Sequence, residues 1–283
     1  MTRRCTQREF LLKPSPDTNH LFKYVLAVAA ARYGILVHAA CVMSNHVHLV
    51  VTDPRAALPD FTHLLDGVVA KALNVFFGRK ENFWAPSSYN AVELIEPADV
   101  VEKVAYTLAN PASAGLVECG RQWPGVWSDP CSVGQPGEVI ARPERFFSKK
   151  GSMPATAVLA FSPPSGFQSA DQYRARVMAR IDELEAAAAA EREASQRPVL
   201  GVYGVVEQRH TDRPTKGERR RTLIPRIAAG HGATRQDALA RLVSFLRSHR
   251  DALLRFCRGE RTVVFPRGTY LMRVRFGAAC ATG

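Results

Sequence analysis

His46 and His48 stand two residues apart in the stretch 41–53, CVMSNHVHLVVTD. Apolar, β-favouring residues flank them: Val42, Met43, Val47, Leu49, Val50 and Val51. In an extended strand, residues i and i+2 point to one face, so the two imidazoles project together and Val47 turns the other way. Paired imidazoles of this kind bind divalent metal ions readily. The plainer alternative is one packed and one exposed histidine.

Elements around this pair must position it. Residues 3–12 read as a first strand. Pro14-Ser15-Pro16-Asp17 breaks it and offers a helix cap. Leu21, Tyr24, Val25, Val28 and Ala31 give residues 19–33 helical spacing, and Gly34 ends the helix. Residues 35–43 and 46–52 form a hairpin about Ser44-Asn45. Residues 59–77 are a second helix, with Phe61, Leu64, Leu65, Val68, Val69, Ala72, Leu73 and Phe76 on its apolar face. A loop bearing Trp84 and Tyr89 follows, then a short strand over 91–95. A third helix over 99–108 is interrupted by Asn110-Pro111. The order is β-α-β-β-α-β-α, and its first six elements match the ferredoxin-like split β-α-β arrangement, an α+β fold with an antiparallel sheet. The two long helices bury one face of the sheet, leaving the other to carry a site.

The chain has 283 residues, a net charge of +12 and a pI near 9.8, which points to an anionic partner. Residues 199–283 hold 17 Lys and Arg against 6 Asp and Glu, so nearly all the excess lies there. Three units are expected: 1–130, a linker and spacer helix over 131–198, and a smaller basic α+β unit over 199–283. The linker reading rests on the Gly, Pro and Ser of 131–169, followed by a helix over 172–193. None of the six cysteines forms a C-x-x-C pair, which suits free thiols in a reducing cytoplasm. The N-terminus lacks a signal-like apolar stretch, and the apolar run 24–31 is too short to span a bilayer. A soluble cytoplasmic protein is expected.

The segment MSNHVHLVV resembles the histidine–hydrophobic–histidine motif of the HUH endonuclease superfamily. VEKVAYTLANPASAGLV, residues 101–117, is similar to the tyrosine helix of its single-tyrosine transposases, usually Y-x-x-x-N-P-V-x-A-G-L-V. The nearest subgroup is the REP-associated tyrosine transposases, and the resemblance covers roughly residues 1–130. Ser113 stands where that family usually has Arg or Lys, and Ala112 where it has Val. The resemblance implies cleavage and joining of single-stranded or hairpin DNA, with Tyr106 forming a 5′-phosphotyrosine. It implies Mg²⁺ or Mn²⁺ on His46 and His48, polarising the phosphate, and a homodimer.

An octahedral ion needs further oxygen ligands, and Asn110 is the candidate. It lies four residues after Tyr106, on the same side of one helical turn. Its alternative role is a helix cap before Pro111. Tyr106 has the alternative of a core tyrosine with its hydroxyl at the edge. Trp84 and Tyr89 either stack bases or anchor the core, and His63 is packed or exposed.

In the basic part, 199–206 is strand-like. Arg209, Arg213, Lys216, Arg219, Arg220, Arg221 and Arg226 form a loop suited to phosphates, broken by Pro214 and Pro225. Its alternative is a solvated charged loop. A helix over 234–258 and a closing hairpin of 263–265 with 270–276 complete the chain. The first functional reading is a metal-dependent DNA endonuclease and strand transferase. The others are a non-catalytic, domesticated DNA-binding regulator and a relaxase or replication initiator. The last is weakened by the lack of a helicase P-loop and of a second nearby tyrosine.

Overall fold

The computed structural model describes residues 1–86, 89–215, 226–230 and 232–281. In chain order the regular elements begin with β1 (Thr2–Arg4), α1 (Pro16–Tyr33), β2 (Leu36–Met43), β3 (His46–Thr52) and α2 (Leu58–Phe76). They continue with β4 (Glu93–Leu94), α3 (Pro97–Ser113), β5 (Glu138–Ala141), β6 (Thr156–Leu159) and α4 (Ala170–Ala194). The last are α5 (Gly201–Glu207), β7 (Ile227–Ala228), α6 (Gly232–Cys257), β8 (Val264–Phe265), α7 (Leu271–Phe276) and β9 (Ala279–Cys280).

Local chemistry sets the first helices. Ser15 accepts the Thr18 N–H at the start of α1, Pro16 opens it, and Gly34 at φ 68° closes it in the left-handed region. The Asp53 carboxylate accepts the N–H groups of Ala57 and Leu58 where α2 begins. Both helices bury their apolar stripes on one face of an antiparallel sheet of order β1-β3-β2.

β3 is the central strand. Cys41 and Met43 of β2 lie opposite His48 and His46, and Thr2 and Arg4 of β1 lie opposite the same two histidines. Val47 and Leu49 enter the core under α1 and α2, whereas Val50 faces the other side. A bulge between Val37 and Ala39 shifts the phase of β2. Val37, Ala40 and Val42 therefore share the first core, while Ala39 turns to the second. His38 is buried at the bulge, 2.7 Å from the Ser162 carbonyl and 2.8 Å from Thr52 Oγ1.

The second face is not left open. α3 crosses it, packing Val104, Ala105 and Leu108 on Ala39 and Val50, and α4 backs α3 with Tyr173, Val177 and Ile181. The free face expected from sequence is thus partly filled by the helix that carries Tyr106.

Several elements differ from expectation. The first strand stops at Arg4, because the chain turns through Thr6–Arg8 with Gln7 and Arg8 at positive φ and buries Leu11 and Leu12 in a loop. The stretch 91–95 yields only β4, which pairs in parallel with β7. Beside β1 lie instead Trp84 and Asn90, as isolated antiparallel bridges to Cys5 and Thr2.

The Gly/Pro-rich stretch expected to link two units is folded. β5 and β6 form an antiparallel hairpin, and Ile140 and Leu159 join the main core with α1. Its glycines and prolines define turns, while a few well-spaced apolar residues suffice to dock on a preformed helix. Where 199–206 is expected as strand, residues 201–207 form helix α5, docked by the N–H groups of Leu200 and Gly201 on the carbonyls of Gly115 and Leu116. The closing hairpin is absent: β8 pairs in parallel with β9, and α7 is the crossover that a parallel pair requires. Ala252, Phe256, Val263, Phe265, Met272 and Ala278 form the small core there. This basic part is tied to the rest through Thr234–Glu96 (2.8 Å), Arg213–Glu9 (2.7 Å) and Arg273–Asp60. Among the described residues no helix is long and apolar enough to cross a membrane.

Candidate metal and tyrosine site

The edge-to-face rings of His46 and His48 on β3 have centroids 4.8 Å apart. α3 brings two further side chains to them. The Tyr106 ring stands 5.9 Å from that of His48, again edge to face, and Asn110 Nδ2 lies 3.4 Å from His48 Nε2. One strand and one helix thus gather all four residues singled out from sequence, because i, i+2 on a strand and i, i+4 on a helix each share a face.

Asn110 is not a helix cap. α3 runs through Pro111 to Ser113, and Ala114 takes the cap position. The Asn110 side chain is therefore available to the sheet face. Tyr106 is 41 % exposed, so its ring is reachable from solvent and is not the core tyrosine of the alternative reading.

The surroundings of the histidines are polar and specific. Asn45 Oδ1 lies 2.6 Å from His46 Nδ1, and Thr2 Oγ1 lies 3.0 Å from His48 Nδ1. Burial holds the His48 imidazole well below the usual histidine range, and His46, the N-terminal amine, Lys103 and Arg4 push it the same way. A neutral ring is the form that donates a lone pair to a metal.

Sequence reading passed over Lys103. Its ammonium lies 4.6 Å from the centroid of the Tyr106 ring, one turn earlier on α3. The signal available was its i, i+3 spacing from the tyrosine. Thr2 was also passed over, since only the β1–β3 register brings it beside His48.

Among the described residues no group of three or more His, Cys, Asp and Glu is placed to hold a metal ion. The donors present are two imidazoles and the Asn110 amide, whose oxygen reaches the same place after a half-turn. That set suits a hard or borderline divalent ion which takes its remaining ligands from phosphate and water.

The basic candidates are scattered. Arg213 is paired with Glu9, and the Arg209 backbone N–H donates to the Asp212 carboxylate. Arg226 is exposed, with its carbonyl accepting the Glu93 N–H beside β7. Lys216, Arg219, Arg220 and Arg221 lie outside the described residues. Trp84 is buried and donates its indole N–H to the Asp66 carbonyl, which makes it a core anchor. Tyr89 is half-buried, and His63 is exposed with its ring 5.9 Å from that of Tyr270.

An IS200-like domain of the HUH transposase superfamily is present over residues 3–101, the part of the chain that holds β1 to α2 and the two histidines of β3. The family model matched over those residues, about a third of the chain, is described as "Transposase IS200 like". The match ends before Tyr106 and Asn110. No curated protein and no solved structure matches the chain.

Proposed function

We propose that the chain is a single-tyrosine DNA endonuclease and strand transferase of the REP-associated kind, acting on single-stranded hairpin DNA. The observation that carries this reading is the meeting of Tyr106 and Asn110 with His46 and His48, although the two pairs lie about sixty residues apart in sequence. The three-stranded sheet with its bridges to Trp84 and Asn90 supports a ferredoxin-like fold whose fourth strand is reduced to irregular pairing.

In this reading Tyr106 Oη attacks a backbone phosphorus. A P–O bond to the tyrosine forms and the P–O3′ bond breaks. The phenolic proton passes to water, and the departing 3′-oxygen takes a proton from water. A phenol needs help to react near neutral pH. Lys103 favours the charge developing on the phenol oxygen. His46, His48 and Asn110 would hold Mg²⁺ or Mn²⁺, which supplies polarisation of the phosphate and charge neutralisation at the leaving oxygen. The basic side chains Arg209, Arg213, Lys216, Arg219, Arg220, Arg221 and Arg226 position the DNA backbone. A homodimer in the cytoplasm, with a basic unit over 199–283 as the DNA-holding part, completes the proposal.

The test is a covalent adduct. Wild-type protein, Mn²⁺ and a labelled single-stranded hairpin from the gene's own flanks should give a denaturant-resistant product. Tyr106→Phe should lose the adduct and keep DNA binding, since only a hydroxyl is removed. An adduct that persists in Tyr106→Phe assigns the nucleophile elsewhere. No adduct on any flanking hairpin favours a DNA-binding regulator without catalysis.

A further inference from the structure

We infer that Asn45 and Thr2 are positioning residues that fix both histidine rings in the Nδ1–H tautomer, so that each presents the Nε2 lone pair to one divalent ion. The inference rests on the metal site proposed above and goes beyond it, because neither residue contacts the ion.

The hydrogen bonds decide the tautomers. Asn45 Nδ2 donates to the Arg8 carbonyl at 3.2 Å, which fixes the orientation of the amide and turns its oxygen to His46. A carbonyl oxygen only accepts, so His46 Nδ1, 2.6 Å away, carries the hydrogen. Neutral His46 then holds its lone pair on Nε2. For His48, the Asn110 amide nitrogen stands 3.4 Å from Nε2 in the metal-free site and donates there, which leaves Nδ1 to donate to Thr2 Oγ1 at 3.0 Å; when the amide turns its oxygen to an ion, the bond to Thr2 alone holds that tautomer.

Two separate elements supply these partners. Asn45 sits in the tight turn between β2 and β3. Thr2 lies opposite His48 in the register of β1 with β3. The two Nδ1 atoms are thus engaged from the turn and from the neighbouring strand. Partners of this kind typically change metal affinity by roughly 10- to 100-fold.

The experiment uses the full chain without DNA. Ring-nitrogen shifts from long-range ¹H–¹⁵N spectra report the tautomer of each histidine in the metal-free protein, and calorimetry reports Mn²⁺ affinity. Wild type should show Nδ1–H at both rings. Asn45→Ala and Thr2→Val should mix the tautomer at His46 and His48 respectively, and each should weaken Mn²⁺ roughly tenfold or more. Asn45→Asp also loses the bond to Arg8 but keeps the acceptor, so it should retain the His46 tautomer. That retention separates tautomer control from a structural role of the turn. Thr2→Ser should behave as wild type. An Nε2–H tautomer at His46 in the wild type overturns the inference, as does unchanged Mn²⁺ affinity in Asn45→Ala and Thr2→Val. Absence of Mn²⁺ binding in the wild type overturns the metal site and this inference together.

Discussion

The ammonium of Lys103 lies over the ring of Tyr106, 4.6 Å from its centroid and one helical turn before it on α3. A cation there stabilises negative charge growing on the phenol oxygen more than it stabilises the neutral phenol. Lys103→Met should lower the rate of adduct formation by about tenfold, close to 1.4 kcal/mol, with hairpin binding weakened much less. Lys103→Arg should recover most of the rate. Single-turnover cleavage of a labelled hairpin checks this, and a rate equal to wild type in Lys103→Met removes the lysine from the reaction.

Asn110 reaches from inside α3 to His48, so its chemistry can be changed without disturbing a helix end. Asn110→Asp should tighten Mn²⁺, because a carboxylate is the better ligand for a hard ion. Asn110→Leu should weaken it by roughly 10-fold or more and should leave thermal stability within about 1 kcal/mol. Calorimetric titration of the three proteins decides the matter. Equal affinities would take Asn110 out of the ligand set.

Asp66 gives the fold a pH dependence of its own. Burial pushes its carboxyl up to about 7, opposed by the Arg3 guanidinium 3.4 Å away. The native state then keeps a proton that the unfolded chain releases near pH 4, so stability is greatest below that value and falls as pH rises towards 7. The loss across this window should be about 2–4 kcal/mol. Asp66→Asn should flatten the curve. Urea midpoints at pH 4.5 and 7.5 (both inside the range of ordinary buffers, roughly) measure it, and equal slopes in variant and wild type would assign the dependence to another group.

Glu9 joins the first loop to two distant segments. Its carboxylate meets Arg79 at 2.9 Å and Arg213 at 2.7 Å. Glu9 and Arg79 are largely buried, whereas the Arg213 side chain is half exposed. Glu9→Ala should cost about 3 kcal/mol, since it strands a buried guanidinium. Arg213→Ala should cost no more than about 1 kcal/mol, because water screens that pair. Equal losses in the two variants, read by urea unfolding, would contradict this division.

Much of the site was legible in the chain because local periodicity reports which side chains share a face. The two-residue spacing of His46 and His48 in an apolar run fixed a common strand face. The four-residue spacing of Tyr106 and Asn110 fixed a common helix face. The apolar stripes of α1 and α2, the Ser15 cap and Gly34 marked both helices closely. The strand β1 and the stretch after α2 were less legible, since their pairing depends on partners far away in sequence.

Tertiary structure alone decided what meets what. Nothing local tells α3 to lie across the β3 face, yet the packing of Val104, Ala105 and Leu108 on Ala39 and Val50 does so, and it carries Tyr106, Asn110 and Lys103 to the histidines. Composition mistook the β5–β6 hairpin for a linker, because few apolar residues show in the sequence until Ile140 and Leu159 find the helix they cover. Residues 270–276 read as the second strand of a hairpin with 263–265, but β8 pairs in parallel with β9 and residues 271–276 form the crossover helix. Periodicity encodes the face of an element. The free energy of long-range burial and strand pairing chooses the neighbour, and that choice is made by the whole chain at once.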